Sequence, residues 1–250
     1  MSLNDVTLDE LWDDVPPPTR VFRAAELDPN LPAPARRYLV HAIAEGTPLA
    51  SAVRLRMHGS IKLGDWLPFE AEQVIRWDRG LIWKATTKKG VMRISGSDRL
   101  IDGEGAMRWK LFGIVPVMRA DGPDVSRSAK GRLELESLWL PSVLVGDSVA
   151  WRAEDDETVH ACFEVFGDEA DVTLRVGPDG RLLGNLTQRW GNPEGREFHA
   201  SPFGGLCLEE RTFDGFTIPT EVRVGWHLGT PRFEDEGEFF RGTITSAIFR

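Results

Sequence analysis

In Val53-Arg-Leu-Arg-Met-His-Gly-Ser-Ile61 the apolar residues alternate strictly with Arg54, Arg56, His58 and Ser60. A period of two belongs to a strand with one buried face and one wet face. The pattern returns in residues 69–77, where Phe69, Ala71, Ile75 and Trp77 oppose Glu70, Glu72 and Arg76, and Asp78-Arg-Gly80 then supplies a turn. Further strands are expected at 81–85, 91–95 and 105–111, and, after one interruption, at 149–152, 159–166, 170–176, 182–190, 206–213, 218–226 and 239–249. Gly177-Pro-Asp-Gly180 marks a hairpin turn. These links are too short for crossover helices, so neighbouring strands must be antiparallel. About 11–12 strands in one sheet would curl and need one face covered. The expected class is therefore mainly β (α+β): a strongly curved antiparallel sheet or half-barrel, with an N-terminal helical arm and one internal helix on the concave side. A closed barrel is the alternative.

Residues 1–50 form the arm in this reading. Thr7-Leu-Asp-Glu10 fits a capping box that opens a short helix holding Leu8, Leu11 and Trp12, and Pro16-Pro17-Pro18 stops it. A second helix should start near Pro34 and run to Gly46, burying Tyr38, Leu39, Ala42 and Ile43. Residues 51–121 then make a first strand group, 122–145 a central helix and 146–250 a second strand group, all within one domain spanning 1–250.

The central helix follows Gly122-Pro123-Asp124, although its Leu-Glu-Leu-Glu run would also suit a strand. At about 100° per residue, Val125, Ala129, Leu133 and Leu140 share a stripe that Leu135 and Trp139 widen, and Glu136 falls inside this apolar arc. A carboxylate there needs a partner or a purpose. The structural reading pairs Glu136 with Arg189 or Arg211, pinning the helix to the sheet. The functional reading makes it an acid/base or the anchor of a ligand amine or hydroxyl, because desolvation raises the pKa of a carboxyl in such a place.

Composition excludes more than it names. A net charge of −9 and a pI near 5.2 argue against nucleic-acid binding, and the basic cluster at 84–89 reads as a solvated hairpin turn. No apolar run approaches the roughly 18 residues of a transmembrane segment. Met1 to Asp5 lack a secretory start, although Met1-Ser2-Leu3 could be an appended remnant that replaced a natural leader. Cys162 and Cys207 form no Cys-x-x-Cys motif, and free thiols suit a cytoplasmic location. His41, His58, His160, His199 and His227 show no zinc spacing; His160 and Cys162 share a strand face, which is a ligand pair at most. There is no nucleophile elbow and no phosphate or dinucleotide loop, so no catalytic residue, metal or cofactor is assigned. Nine Trp against one Tyr is an unusual ratio. Most should be core, with a subset free to line a cavity.

Leu135-Glu-Ser-Leu-Trp-Leu-Pro141, Val149-Ala-Trp151, Arg189-Trp190, Thr217-Ile-Pro-Thr220 and Val224-Gly-Trp226 together resemble an uncharacterised prokaryotic family of soluble domains with a Glu-x-x-Trp-x-Pro signature, over roughly residues 34–230. That family brings no activity with it. The strand-helix-strand order is also similar to the half-barrel of periplasmic lipoprotein carriers, as fold analogy only. The expected function is binding of a hydrophobic or amphipathic small molecule in a Trp-lined cavity, with Glu136, Trp139, Trp151, Arg189, Trp190, Arg211 and Trp226 as ligand-binding candidates. An enzyme using Glu136 as acid/base and a protein-interaction module are the alternatives, and the sequence leaves the oligomeric state open.

Overall fold

The computed structural model describes Leu3 and residues 5–250, with Lys89 described by its backbone. The reading of Met1 to Asp5 thus rests mostly on Met1, Ser2 and Asn4, which lie outside the described residues. Thirteen strands form one antiparallel sheet: β1 (Ala52–Leu63), β2 (Asp65–Arg76), β3 (Gly80–Lys89), β4 (Met92–Ile101), β5 (Glu104–Leu111), β6 (Val115–Asp121), β7 (Ala150–Ala153), β8 (Thr158–Val165), β9 (Asp168–Val176), β10 (Leu182–Gly191), β11 (His199–Phe213), β12 (Phe216–Trp226) and β13 (Glu238–Phe249). Their spatial order is β6-β5-β4-β3-β2-β1-β13-β12-β11-β10-β9-β8-β7. The last strand pairs with the first, Val53 opposite Phe249 and Ile61 opposite Phe240, and this joins the two strand groups in the middle of the sheet. The outer edges, β6 and β7, remain unpaired with each other, so the sheet is curved and open rather than a closed barrel.

The segment between β6 and β7 therefore has to travel from one edge of the sheet to the other. It contains helix α3 (Pro123–Glu136), which continues through 3-10 turns at Ser137–Trp139 and Pro141–Leu144. α3 packs on β4 and β5 on one side and on β9 and β10 on the other, strands far apart in the sheet order. Only a sheet curled around the helix permits both contacts. The helix can come this close because Gly105 and Gly131 lack side chains. A Cβ on Gly105 would lie 2.8 Å from the Ser126 backbone, and one on Gly131 would lie 3.0 Å from Arg189 Cγ.

The arm divides between the two faces of the sheet. α1 (Leu8–Asp13) starts with the expected capping box: Glu10 N donates to Thr7 Oγ1 at 3.1 Å and Thr7 N to Glu10 Oε2 at 2.8 Å. It lies on the convex face, where Val6, Leu11, Trp12 and Val15 pack with Ala52, Val74, Ile82 and Ile101. α2 (Ala33–Ala42) joins the concave core through Tyr38, Leu39, Ala42 and Ile43. It ends before Gly46, because Ile43 is extended and bridges to Phe216. The strand missing from the sequence reading is β6. It is exposed on both faces, so burial imposes no alternation on it, and Gly113 and Pro116 read as turn residues.

Candidate functional site

Glu136 is buried, as its place in the apolar arc requires, but its partners are neither Arg189 nor Arg211. Arg132, one helical turn earlier, donates from Nε to Glu136 Oε1 at 2.6 Å, and Gln73 of β2 donates from Nε2 to Oε2. Arg132 also reaches Asp98 of β4 at 3.3 Å, and Trp109 of β5 donates its indole N–H to the other Asp98 oxygen at 2.8 Å. Helix and first strand group are thus tied by a chain running Gln73–Glu136–Arg132–Asp98–Trp109. Burial raises the Asp98 pKa against the opposing pull of Arg132. It works to lower the Arg132 pKa, but the Glu136 and Asp98 charges outweigh it and raise that value. Each Glu136 oxygen thus accepts from one protein donor, the arrangement of a hydrogen-bonded buried ion pair.

Beside this chain lies a cavity of about 290 Å3 between α3 and the concave face. Its lining is mainly apolar and aromatic: Met57, Ile61 and Trp83 from the first strand group, Leu135, Leu138 and Trp139 from the helix and its 3-10 turn, and Phe203, Val224, Trp226, Phe239 and Phe240 from the second. Trp139 is fixed by its indole N–H, which donates to Pro219 O at 3.1 Å. Asn185 is fixed by donating to Leu135 O at 2.8 Å. Gly205 leaves room in the β11 wall, where a Cβ would lie 3.3 Å from Val224 Cγ2, and Gly204 lets β11 lie close to the β10 backbone. Of its lining, Leu138, Trp139 and Val222 are buried, while Ile61, Met107, Trp226, Phe239 and Phe240 are only half-buried.

Arg189, a charged group in this wall, forms no ion pair among the described residues. Its Nε donates to Ser128 O at 2.9 Å, and its guanidinium lies over Phe203 at 4.3 Å and near Trp226 at 5.4 Å. Its Nη atoms make no hydrogen bond or ion pair among the described residues. Burial, reinforced by the Arg132 charge, lowers its pKa to about 10, so it remains a cation at neutral pH.

Of the seven residues singled out from the sequence, the structure gathers Glu136, Trp139, Arg189 and Trp226 around the cavity. Three lie elsewhere. Trp151, on the edge strand β7, lines a separate groove with Leu144 and Val149. Trp190 alternates away from Arg189 along β10, donates to Asp124 Oδ1 at 2.8 Å and carries Arg127 over its ring at 4.1 Å. Arg211 is exposed and lies against Phe213. Sequence reasoning missed Gln73, Trp83 and Asp98, whose convergence depends on strand register, and it missed Arg132, which the four-residue spacing to Glu136 could have found. His160 and Cys162 form no ligand pair: His160 is held between Asp171 at 2.7 Å and Glu154 at 3.2 Å. No group of three His, Cys, Asp or Glu among the described residues is arranged to hold a metal. No helix among them is long and apolar enough to cross a membrane.

The model of a family of unknown function (DUF6920) matches residues 29–249, a wider span than the Trp and Pro markers suggested. Among solved structures, the chain is similar to a LolA superfamily protein from Nitrosomonas europaea, with 10% identity and a TM-score of 0.44 over 87% of this chain and 92% of that one. It is also similar to a domain from Vibrio parahaemolyticus provisionally assigned as an outer membrane lipoprotein-sorting protein, with 8% identity and a TM-score of 0.38 over 80% of this chain and 86% of that one. No curated protein matches it.

Proposed function

We propose a function from the site itself, since the chain belongs to the family of unknown function (DUF6920) and membership supplies no activity: it binds an amphipathic small molecule, tail in the cavity and hydrogen-bond-accepting head on Arg189. One observation carries this reading. A mainly apolar cavity has, in its wall, a guanidinium whose Nη donors meet no acceptor among the described residues. At ~30 Å3 per water-sized group, 290 Å3 holds roughly ten such groups, which suits a medium-length alkyl chain. An acidic head suits Arg189 better than an amine, because planar guanidinium groups take carboxylates through paired hydrogen bonds. An amine anchored by Glu136, which the sequence allowed, would have to share that carboxylate with Arg132 and Gln73. In this proposal Glu136 and Trp139 help build the cavity wall.

Native mass spectrometry of freshly purified protein, with organic extraction, should show a co-purifying amphiphile. Titration with decanoate should alter the fluorescence of the cavity tryptophans, with decylamine binding much more weakly. Arg189→Met should weaken decanoate binding about 10- to 100-fold, the worth of a charge-assisted hydrogen bond. Equal affinity for decanoate and decylamine would remove Arg189 from the head-group role, and no binding of either would end the cavity reading.

A further inference from the structure

The β3–β4 and β5–β6 hairpins leave large apolar side chains in solvent at their tips. Val91 is 93% exposed and Ile114 79%, with Met92, Phe112, Val117 and Met118 also exposed. The two tips adjoin, because Ile94 pairs with Leu111 and Phe112 N donates to Arg93 O at 2.7 Å. Isolated exposed apolar residues are ordinary; a cluster at the ends of two neighbouring hairpins is not.

Charge identifies the partner. In a chain of net charge −9, residues 84–97 and 105–120 together contain seven Lys or Arg and no Asp or Glu. Lys84, Lys88, Arg93 and Lys110 are exposed and form no ion pair among the described residues, and Asp121 at the base of β6 takes Arg108 and Arg119. Along the strands, Lys84, Lys88, Arg93 and Lys110 share the convex face, set back from the tips. Apolar tips ahead of basic flanks match the depth profile of a lipid surface, with hydrocarbon inside and anionic head groups above it. We propose that these two hairpins dock the protein on an anionic lipid surface, inserting Val91, Phe112 and Ile114 and holding head-group charge with Lys88, Arg93 and Lys110. The inference stands independently of the cavity's occupant.

The test is co-sedimentation of the full chain with vesicles. It should pellet with equimolar phosphatidylcholine and phosphatidylglycerol and remain in the supernatant with phosphatidylcholine alone. Replacing Lys88 and Lys110 by Gln should weaken the partition about fivefold per lysine, and added salt should do the same. Ile114→Asp and Val91→Asp should abolish it while leaving thermal unfolding unchanged, since neither side chain packs on the core. Equal binding to both vesicle types, no binding to either, or an unaffected Ile114→Asp variant would overturn the proposal. So would a dimer that dissociates on Ile114→Asp, which would assign the patch to a second copy of the chain.

Discussion

Glu136 distinguishes a structural carboxylate from a reactive one, and the two readings diverge quantitatively on substitution. In Glu136→Ala, Arg132 loses its 2.6 Å partner but keeps Asp98 at 3.3 Å, so the cost falls below that of a buried cation stripped of all partners. Gln73 then has both amide ends unsatisfied, because its Oε1 already lacks a partner. An unsatisfied buried polar group costs about 1–3 kcal/mol, and with the weakened ion pair the expected loss is about 3–4 kcal/mol. Glu136→Gln should cost far less. The new side chain can still accept from Arg132, and reversing the Gln73 amide presents its idle Oε1 to the new N–H, a change that needs no backbone movement. Only the charge is lost, about 1–2 kcal/mol. At roughly 2–4 °C per kcal/mol for a chain of this size, urea and thermal unfolding followed by Trp fluorescence resolve the two variants easily. Equal losses for Gln and Ala would show that the Gln73 amide is not free to reverse. A loss below about 1 kcal/mol for Ala would refute the structural assignment and return Glu136 to the reactive candidates.

Two buried carboxylates should respond oppositely to pH. Glu238 accepts from Arg223 at 2.8 Å and Arg241 at 2.7 Å, and the Arg223 hydrogen bond foremost holds its pKa at about 2, below the ordinary 4.5. Its stabilisation is present above pH 4.5 and is lost as pH falls toward 2, so Glu238→Gln should cost about 1–3 kcal/mol at neutral pH and flatten the acid limb of a stability–pH curve; an unchanged limb would count against the cluster. Burial raises the Glu134 pKa to about 7 from 4.5, so the folded protein favours its proton, and that contribution disappears as pH rises through 7. Glu134→Gln should therefore be more stable than the parent above pH 7 and close to it below 4.5, and the reverse order would show that Lys130 and Arg189 dominate this carboxylate.

Much of the sheet was legible because burial on one face writes a period of two into the sequence. Where that constraint lapses, legibility lapses with it. β6 has no buried face to write the pattern. The first half of β11, Ser201-Pro-Phe-Gly-Gly205, reads as a loop, yet its glycines shape the cavity wall. The helix was legible through the stripe of Leu133, Leu135 and Trp139. Its partner strands were not, since Gln73, Asp98 and Arg189 meet only through register across strands distant in sequence. Side-chain alternation separates Trp190 from Arg189 within β10, and treating adjacent aromatic and basic residues as one site overlooked that rule.

The apparent misplacement of charge on α3 has a topological cause. Glu134 and Glu136 are about 200° apart around the helix, and a helix resting on a flat sheet would bury one and expose the other. Both are buried, at 8% and 7% exposure. Walls must therefore rise on two sides, as they do when a connection between the outer edges β6 and β7 is enclosed by the sheet it spans. Enclosure puts polar groups where water cannot serve them, and the chain answers by setting Gln73, Glu136, Arg132 and Asp98 against one another. Arg189 remains outside that arrangement, stacked on Phe203 at the cavity wall, its terminal nitrogens making no hydrogen bond among the described residues. Arg132, Glu136 and Asp98 are set against one another while the Arg189 guanidinium faces the cavity, and this difference supports the proposed acidic head group.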